Sequence, residues 1–310
     1  MSSSDGLSQQ SAEETAPYSA EARTDSTASA APSHNDQKSS VFDGVRKIRT
    51  VHLAAAKEHH EKFAMLTTYD FLTAQIFDEA GIEVLLIGDS AGNTVLGHES
   101  TLTITLDQMI PMVSAVSRGA KRALVVADMP FGSYQESPQQ AVASAVRMMK
   151  EGGAHAVKME VTEYYAEHVR AVSAAGIPVM AHIGFTPQSE HALGGFRVQG
   201  RGDAAAKVLK TALAMQEAGA FCLLMEMVTS DVAQTVDEQV HLPIIGIGAG
   251  ASTTGQVLVW QDAFGMRQGK MARFVKQYAD VHSILFEGAK AYHRDVQSGQ
   301  YPGEEHQFRQ

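Results

Sequence analysis

The sequence predicts an α/β chain closed as a single (β/α)8 barrel, the TIM-barrel architecture, on three observations. Eight short apolar runs of strand length follow one another from Phe63 to about Gly265, with amphipathic helical stretches between them. Runs such as Val84-Leu85-Leu86-Ile87 and Phe221-Cys222-Leu223-Leu224-Met225 are apolar at consecutive positions, which suits strands covered on both faces, as in a parallel sheet with helices outside. The alternation fills about 250 residues, the usual size of such a barrel. A doubly wound open sheet is the structural alternative, because alternation alone leaves closure undecided.

Residues 1–40 precede this pattern and form an expected disordered extension, leaving 41–310 as one barrel domain. Ser, Thr and Ala supply 21 of the first 40 residues, and only Met1, Leu7 and Tyr18 are large apolar side chains, too few for a core. Six acidic against two basic residues argue against an organelle transit peptide, and a secretory signal's basic start and apolar stretch are missing. The strands are expected at Phe63–Asp70, Val84–Asp89, Ala123–Asp128, His155–Glu160, Pro178–Gly184, Phe221–Met227, Pro243–Gly250 and roughly Gln256–Gly265. In the eighth unit, Trp260, Gln261 and Asp262 read equally as helix or loop. Between strands, Ser137-Pro138 opens a helix as cap and first-turn proline and Gly152-Gly153 closes it. Another helix runs from about Asp203 to Ala218 and stops at Gly219.

Composition narrows the function classes. The chain has 35 acidic and 25 basic residues, a net charge of −10, so it builds no basic field for nucleic acid or an anionic membrane surface. No apolar run reaches membrane-spanning length. The single cysteine, Cys222, rules out an intrachain disulfide and a Cys-rich metal site, fits a reducing compartment, and reads as packed core.

Ligands of parallel α/β sheets gather at the carboxyl ends of the strands, so the residue types there carry the functional signal. These ends are polar in succession: Tyr69-Asp70, Asp89-Ser90, Asp128, Lys158 with Glu160, His182 and Glu226. Any one aspartate has a plain alternative as a helix cap or loop-amide acceptor, but six polar ends in a row resist that account. Asp89, Asp128 and Glu160 at adjacent strand ends would repel one another unless a cation compensates or protons are taken up. Oxygen donors without Cys pairs or a His-x-x-His spacing favour Mg2+ over zinc. Lys158 and Glu160, two residues apart, share one face of a strand. The lysine there either holds an anionic substrate oxygen and stabilises developing charge, or forms an internal salt bridge. A desolvated carboxylate at Glu226 would have a raised pKa and act as a general base; a further metal ligand or a structural acceptor are its alternatives. His182 either bonds substrate or orients a neighbour.

Two glycine-rich stretches are ambiguous. Gly246-Ile247-Gly248-Ala249-Gly250 lacks the spacing of a dinucleotide fingerprint and reads as close backbone approach at the end of strand 7. The loop Gly194–Gly202 combines glycines with Arg197 and Arg201, and reads equally as a mobile lid over an acidic ligand or as an ordinary surface loop.

Several longer motifs run in register. They are Thr67-Thr68-Tyr69-Asp70, Gly88-Asp89-Ser90-Ala91-Gly92-Asn93-Thr94-Val95-Leu96-Gly97-His98, Ala127-Asp128-Met129-Pro130-Phe131, Val157-Lys158-Met159-Glu160, His182-Ile183-Gly184-Phe185-Thr186-Pro187-Gln188-Ser189, Gly200-Arg201-Gly202, Ile245-Gly246-Ile247-Gly248-Ala249-Gly250 and Tyr301-Pro302-Gly303-Glu304-Glu305-His306. From roughly Val51 to His306 the chain resembles the ketopantoate hydroxymethyltransferase family. The resemblance implies a (β/α)8 barrel of the phosphoenolpyruvate mutase/isocitrate lyase-like kind, a bound Mg2+, and transfer of a hydroxymethyl group from 5,10-methylenetetrahydrofolate to 3-methyl-2-oxobutanoate in pantothenate biosynthesis. It implies metal ligands at Asp89, Asp128 and Glu160, substrate contacts at Asp89, Ser90, Asp128 and Lys158, and the proton acceptor at Glu226. It also implies a cytoplasmic homodecamer. Val161-Thr162 and Met227-Val228-Thr229 depart from the family pattern beside Glu160 and Glu226, without removing a catalytic side chain.

A Mg2+-dependent lyase or mutase of the phosphoenolpyruvate mutase kind is the nearest competing activity. Such enzymes use a reactive loop cysteine, whereas Cys222 lies in a strand. A catalytically silent paralogue is the competing reading outside enzymes, and the full set Asp89, Asp128, Lys158, Glu160 and Glu226 argues against it.

Overall fold

A computed structural model describes residues 39–309. The disordered extension expected over 1–40 therefore lies outside the described residues, except for Ser39 and Ser40. The Ser40 amide donates to Asp43 Oδ2 at 2.8 Å and its hydroxyl bonds the Glu61 carboxylate.

Eight parallel strands follow in chain order: β1 (Phe63–Thr67), β2 (Val84–Ile87), β3 (Leu124–Asp128), β4 (Ala156–Glu160), β5 (Val179–Gly184), β6 (Cys222–Glu226), β7 (Ile244–Ile247) and β8 (Gly255–Leu258). Each pairs with the next, and β8 pairs back onto β1 from Phe63↔Gly255 to Leu66↔Leu258, so the sheet is closed rather than doubly wound. The near-continuous apolar runs arise because both faces of each strand are covered. Phe63, Met65, Val84, Leu86, Leu124, Val126, Ala156, Met180, Cys222, Leu224, Ile245 and Val257 form one buried cluster. Their neighbours Leu85, Ile87, Val125, Ala127, Val157, Ala181 and Leu223 belong to the other, which packs against the surrounding helices. Period-two alternation assigns the first set to the barrel interior and the second to its outer face. Removing each large interior side chain from water contributes about 1.5–3 kcal/mol.

The same alternation fixes where the site is built. Continuing the inward register upward along each strand leads from Met65 to Thr67, Val126 to Asp128, Ala156 to Lys158 and Glu160, Met180 to His182, and Leu224 to Glu226. At the opposite end Phe42, Ile48, Leu53 and Ala56 join the interior cluster. Phe42 meets Phe63 edge-to-face at 6.2 Å, so the helix Thr50–Glu58 and the segment before it plug the barrel floor. Cys222 is fully buried in this interior.

The helix expected after Ser137 spans Pro138–Lys150, with the Ser137 side chain accepting from the Gln140 amide. The later one spans Ala204–Glu217. Strands β3, β4 and β5 end where expected, whereas β1, β2, β6 and β7 stop one to three residues short, because the residues after them turn into loops. The eighth unit departs further. Its strand ends at Leu258, and Trp260–Ala263 is a short helix, its first amide donating to Thr67 Oγ1 at 3.1 Å. The chain then runs without regular structure to the carboxy-terminal helix Val281–Ser298.

Candidate active site

The polar top layer of the barrel opens into a cavity of about 1240 Å3, lined among others by Asp89, Ser90, Asp128, Lys158, Glu160, His182 and Glu226. The candidate metal, substrate and base residues from the sequence all line it, together with His182. Strand order sets their neighbours: Asp128 pairs in register with Lys158, Glu160 with His182, and Gly184 with Glu226.

Four of them form one buried network. Lys158 Nζ donates to Asp128 Oδ1 and Oδ2 at 2.7 and 2.6 Å, and the Asp89 amide donates to Asp128 Oδ2 at 3.0 Å. Gln188 completes it, donating from its amide to Glu160 Oε2 at 2.8 Å and from its side chain to Asp89 Oδ2 at 3.0 Å. Tyr134 orients Gln188, donating to its Oε1 at 2.8 Å, and Gln188 also donates to the Met129 carbonyl at 3.0 Å. Ser90 lies at the start of the helical turn Ala91–Thr94, its hydroxyl 2.8 Å from Tyr69 Oη.

Burial dominates the electrostatics. It pushes Asp89 well above the usual carboxylate range, and the neighbouring Asp128 charge adds to the effect. It raises Glu160 to about 8, and likewise Glu226 to about 8 with help from the Glu160 charge. For Lys158 burial acts downward, but Asp128, Asp89 and Glu160 outweigh it and hold the ammonium above its ordinary range. His182 is the wedge of the site: its ring nitrogens stand 3.5 Å from Glu160 Oε1 and 3.5 Å from Glu226 Oε2. Burial, reinforced by Lys158, lowers its pKa well below the usual histidine value, so the ring is neutral and these contacts are not ion pairs.

The donor set suits a hard cation. Asp89 and Glu160 each spend one oxygen on Gln188, while Glu160 Oε1 is buried with no hydrogen-bond partner. An unpartnered buried carboxylate oxygen among further acids is the environment that a divalent ion compensates. Asp128, in contrast, is already occupied by Lys158. Among the described residues no three His, Cys, Asp or Glu side chains are gathered as a metal shell.

Other sequence candidates resolve differently. Asp70 takes the plain alternative: it caps the helix Phe71–Glu79, accepting from the Thr73 amide at 2.9 Å. Gly246-Ile247-Gly248 is a site of close approach, since a Cβ at Gly248 (φ +63°) would fall 2.8 Å from Phe274 Cδ1. The Gly194–Gly202 loop is pinned: the Gln199 amide donates to the Met227 carbonyl at 2.7 Å, and the Phe196 ring packs on Phe185 at 4.8 Å. Gln188 and Tyr134 carry no sequence expectation of a role. A glutamine in the turn after Pro187 reads as loop surface, and nothing local signals that its two ends face two different strands.

Residues 47–304 match the family model described as ketopantoate hydroxymethyltransferase. The chain is 62% identical over 264 residues to the 3-methyl-2-oxobutanoate hydroxymethyltransferase of Paenarthrobacter aurescens (strain TC1), covering 85% of this chain and 88% of that protein. It is 58% identical to the protein of the same name from Arthrobacter sp. (strain FB24), covering 97% of each. Among solved structures it is similar to phosphonopyruvate hydrolase complexed with oxalate and Mg2+, with TM-score 0.55, 12% identity, and 83% of this chain and 92% of that one covered. A second is 2,3-dimethylmalate lyase, a PEP mutase/isocitrate lyase superfamily member, with TM-score 0.54, 16% identity, and 84% and 91% covered. At such identities the likeness shows the fold alone, a closed barrel of eight parallel strands.

Proposed function

Because the chain belongs to the ketopantoate hydroxymethyltransferase family, we propose that it transfers a hydroxymethyl group from 5,10-methylenetetrahydrofolate to 3-methyl-2-oxobutanoate, giving 2-dehydropantoate and tetrahydrofolate. One observation carries this reading: Asp89, Asp128, Lys158 and Glu160 share one buried network at the base of a cavity that Glu226 also lines.

The residues that would hold Mg2+ are Asp89 and Glu160, with Asp128 behind them. When bound, the ion would supply Lewis acidity to the carboxylate and keto oxygens of the 2-oxo acid. Lys158 presents a buried ammonium that Asp128 holds in place, and it attracts the negative charge that develops on the keto oxygen. Ser90, fixed against Tyr69, offers a hydroxyl to the substrate carboxylate. Glu226 removes the proton from C3 of the keto acid; its side chain is 17% exposed, enough to meet substrate while still desolvated. His182 stays neutral beside it, so it does not trap the Glu226 carboxylate in an ion pair. C3 then forms the new bond to the folate methylene carbon as the bond from that carbon to one folate nitrogen breaks and the nitrogen takes up a proton. Water cleaves the bond to the other nitrogen, its hydroxyl going to the methylene carbon and its proton to the nitrogen, which releases the hydroxymethyl product and tetrahydrofolate.

A lyase of the phosphoenolpyruvate mutase kind is less well supported. Cys222 is sealed in the barrel interior and burial pushes its thiol up, which is unsuited to a reactive loop cysteine. The single buried cysteine suits a cytoplasmic setting. The helix Val281–Ser298 buries none of its residues and displays Ile284, Leu285, Phe286 and Tyr292, which supports assembly of copies, and a homodecamer is the assembly that the family resemblance implies. Among the described residues no helix is long and apolar enough to cross a membrane.

An assay for 2-dehydropantoate with Mg2+, 3-methyl-2-oxobutanoate and methylenetetrahydrofolate, each omitted in turn, tests the activity. Product formation should require all three, and product without the folate would refute the transfer.

A further inference from the structure

The cavity is larger than a small keto acid needs. Its volume of about 1240 Å3 exceeds even the upper end of the usual range for small-molecule sites, roughly 300–1,000 Å3. Its lining is also electrically divided. The floor holds four acids, Asp89, Asp128, Glu160 and Glu226. Of the Lys and Arg side chains that line it, Lys158 is committed to Asp128, and the rest, Arg267, Lys270 and Arg273, lie on one stretch beyond β8. Arg267 donates to Asp262 Oδ1 at 2.7 Å, whereas Lys270 and Arg273 make no ion pair or side-chain hydrogen bond among the described residues. The other rim acids, Glu99 and Glu190, come from the segments after β2 and β5.

This stretch is anchored at both ends. The Met266 and Arg267 amides donate to the Gln261 carbonyl at 2.8 and 3.1 Å. At the far end the Phe274 ring occupies the space left by Gly248. Met271, Phe274 and Phe196 add apolar surface to the same mouth.

We propose that Lys270 and Arg273 form a carboxylate subsite for the glutamate tail of the folate cosubstrate, an inference that rests on the folate-dependent transfer proposed above. A folate joins a flat reactive head, through an aminobenzoyl ring, to a glutamate bearing carboxylates. The head has to bring its methylene carbon to the floor. The one cation of the floor, Lys158, is already committed to Asp128, so the tail's carboxylates find no partner there, and the tail points outward toward the uncommitted Lys270 and Arg273 of the lining. The apolar mouth suits the aminobenzoyl ring, and the arginine fork suits a carboxylate.

The test is calorimetric affinity of the full-length protein, with Mg2+ and keto acid present, for tetrahydropteroate, tetrahydrofolate and tetrahydrofolate triglutamate. The wild type should bind both glutamylated ligands about tenfold more tightly than tetrahydropteroate, a margin that narrows as salt is added. In Lys270→Gln/Arg273→Gln the three affinities should fall within about twofold of one another, with keto-acid affinity within about twofold of wild type. A double variant that keeps the preference for glutamylated ligands overturns the subsite alone. So does a wild type that binds tetrahydropteroate as tightly as tetrahydrofolate. A wild type that binds none of the three overturns the folate reading and the subsite together.

Discussion

Lys158 Nζ bridges both carboxylate oxygens of Asp128, at 2.7 and 2.6 Å, with neither side chain open to solvent. The pair is not a gain in stability by itself, since removing two charges from water costs about what their attraction returns. Its importance is what a break would leave: Asp128 beside Asp89 and Glu160 with no cation among them. Lys158→Met should therefore destabilise the metal-free protein by about 3–5 kcal/mol, the scale for an orphaned buried charge. Denaturant unfolding measures it, and a loss below about 1 kcal/mol would show that the acids tolerate one another without the lysine.

Glu226 is desolvated yet borders the cavity, the placement a proton acceptor needs. Glu226→Gln should keep Mg2+ and keto-acid binding while losing roughly two or more orders of magnitude in turnover. Deuterium exchange into 3-methyl-2-oxobutanoate in the absence of folate isolates the proton-transfer step. Exchange at the wild-type rate in the variant would exclude Glu226 as the base.

What the sequence made legible follows from period-two alternation. Val126, Ala156, Met180 and Leu224 mark the inward register, so Asp128, Glu160, His182 and Glu226 could be read as one ring before any coordinates. Asp89 could be read by its place after β2, although it lies past the last strand residue. Legibility ended where a contact depends on loop geometry. Gln188 reaches two strands only because Pro187 starts a tight turn after β5, and Trp260 left the expected eighth strand because its amide finds Thr67 on β1. The preference of Asp70 for capping over the site was likewise undecidable locally, since both readings need an aspartate just past a strand.

Glu160 and Glu226 also make stability depend on pH. Each is raised by burial from 4.5 to about 8, so between those values the folded protein holds protons that the unfolded chain has released. Their contribution in metal-free protein is fully present below pH 4.5 and is lost as pH rises to about 8. The slope approaches about 1.4 kcal/mol per pH unit for each group. Below pH 6.5 the depressed His182 and His155 contribute a slope of the opposite sign, so the test is the upper window: unfolding free energies measured in EDTA from pH 6.5 to 8 should fall, and Glu226→Gln should remove one group's share. A rise across that window in the wild type would contradict the burial argument.

Gln188 is a positioning residue rather than a catalytic one, fixing one oxygen of Asp89 and one of Glu160 from a single side chain and its own amide. Gln188→Ala keeps the amide bond to Glu160 but frees Asp89 and leaves Tyr134 without an acceptor in Gln188. Loss of such an orienting partner typically costs about 10–100-fold in metal affinity. Mg2+ titration by calorimetry reads this directly, and the Asp89 network should prove the sensitive one: unchanged Mg2+ affinity with only a lowered melting temperature would reduce Gln188 to a packing role.

Gly184 shows how closely the backbone controls the proposed base. It sits at φ +92°, opposite Glu226 in the β5–β6 register, and the next amide, that of Phe185, donates to the Glu226 carbonyl at 2.8 Å. A Cβ on Gly184 would lie 2.5 Å from that carbonyl oxygen and 2.7 Å from Val228 Cγ2. Both obstacles are parts of β6 and its immediate continuation, so neither yields without shifting Glu226. Gly184→Ala should thus combine left-handed backbone strain of about 1–3 kcal/mol with displacement of the carboxylate, lowering stability and turnover together. The informative comparison is Gly219→Ala, where φ is +93°, the obstacle is the Ser173 hydroxyl, and the position lies before the start of β6 rather than at its carboxyl end where the site lies. If the two variants lose similar stability but only Gly184→Ala slows deuterium exchange, the β5–β6 contact positions the base; equal exchange rates would mean that Glu226 is placed by its own strand alone.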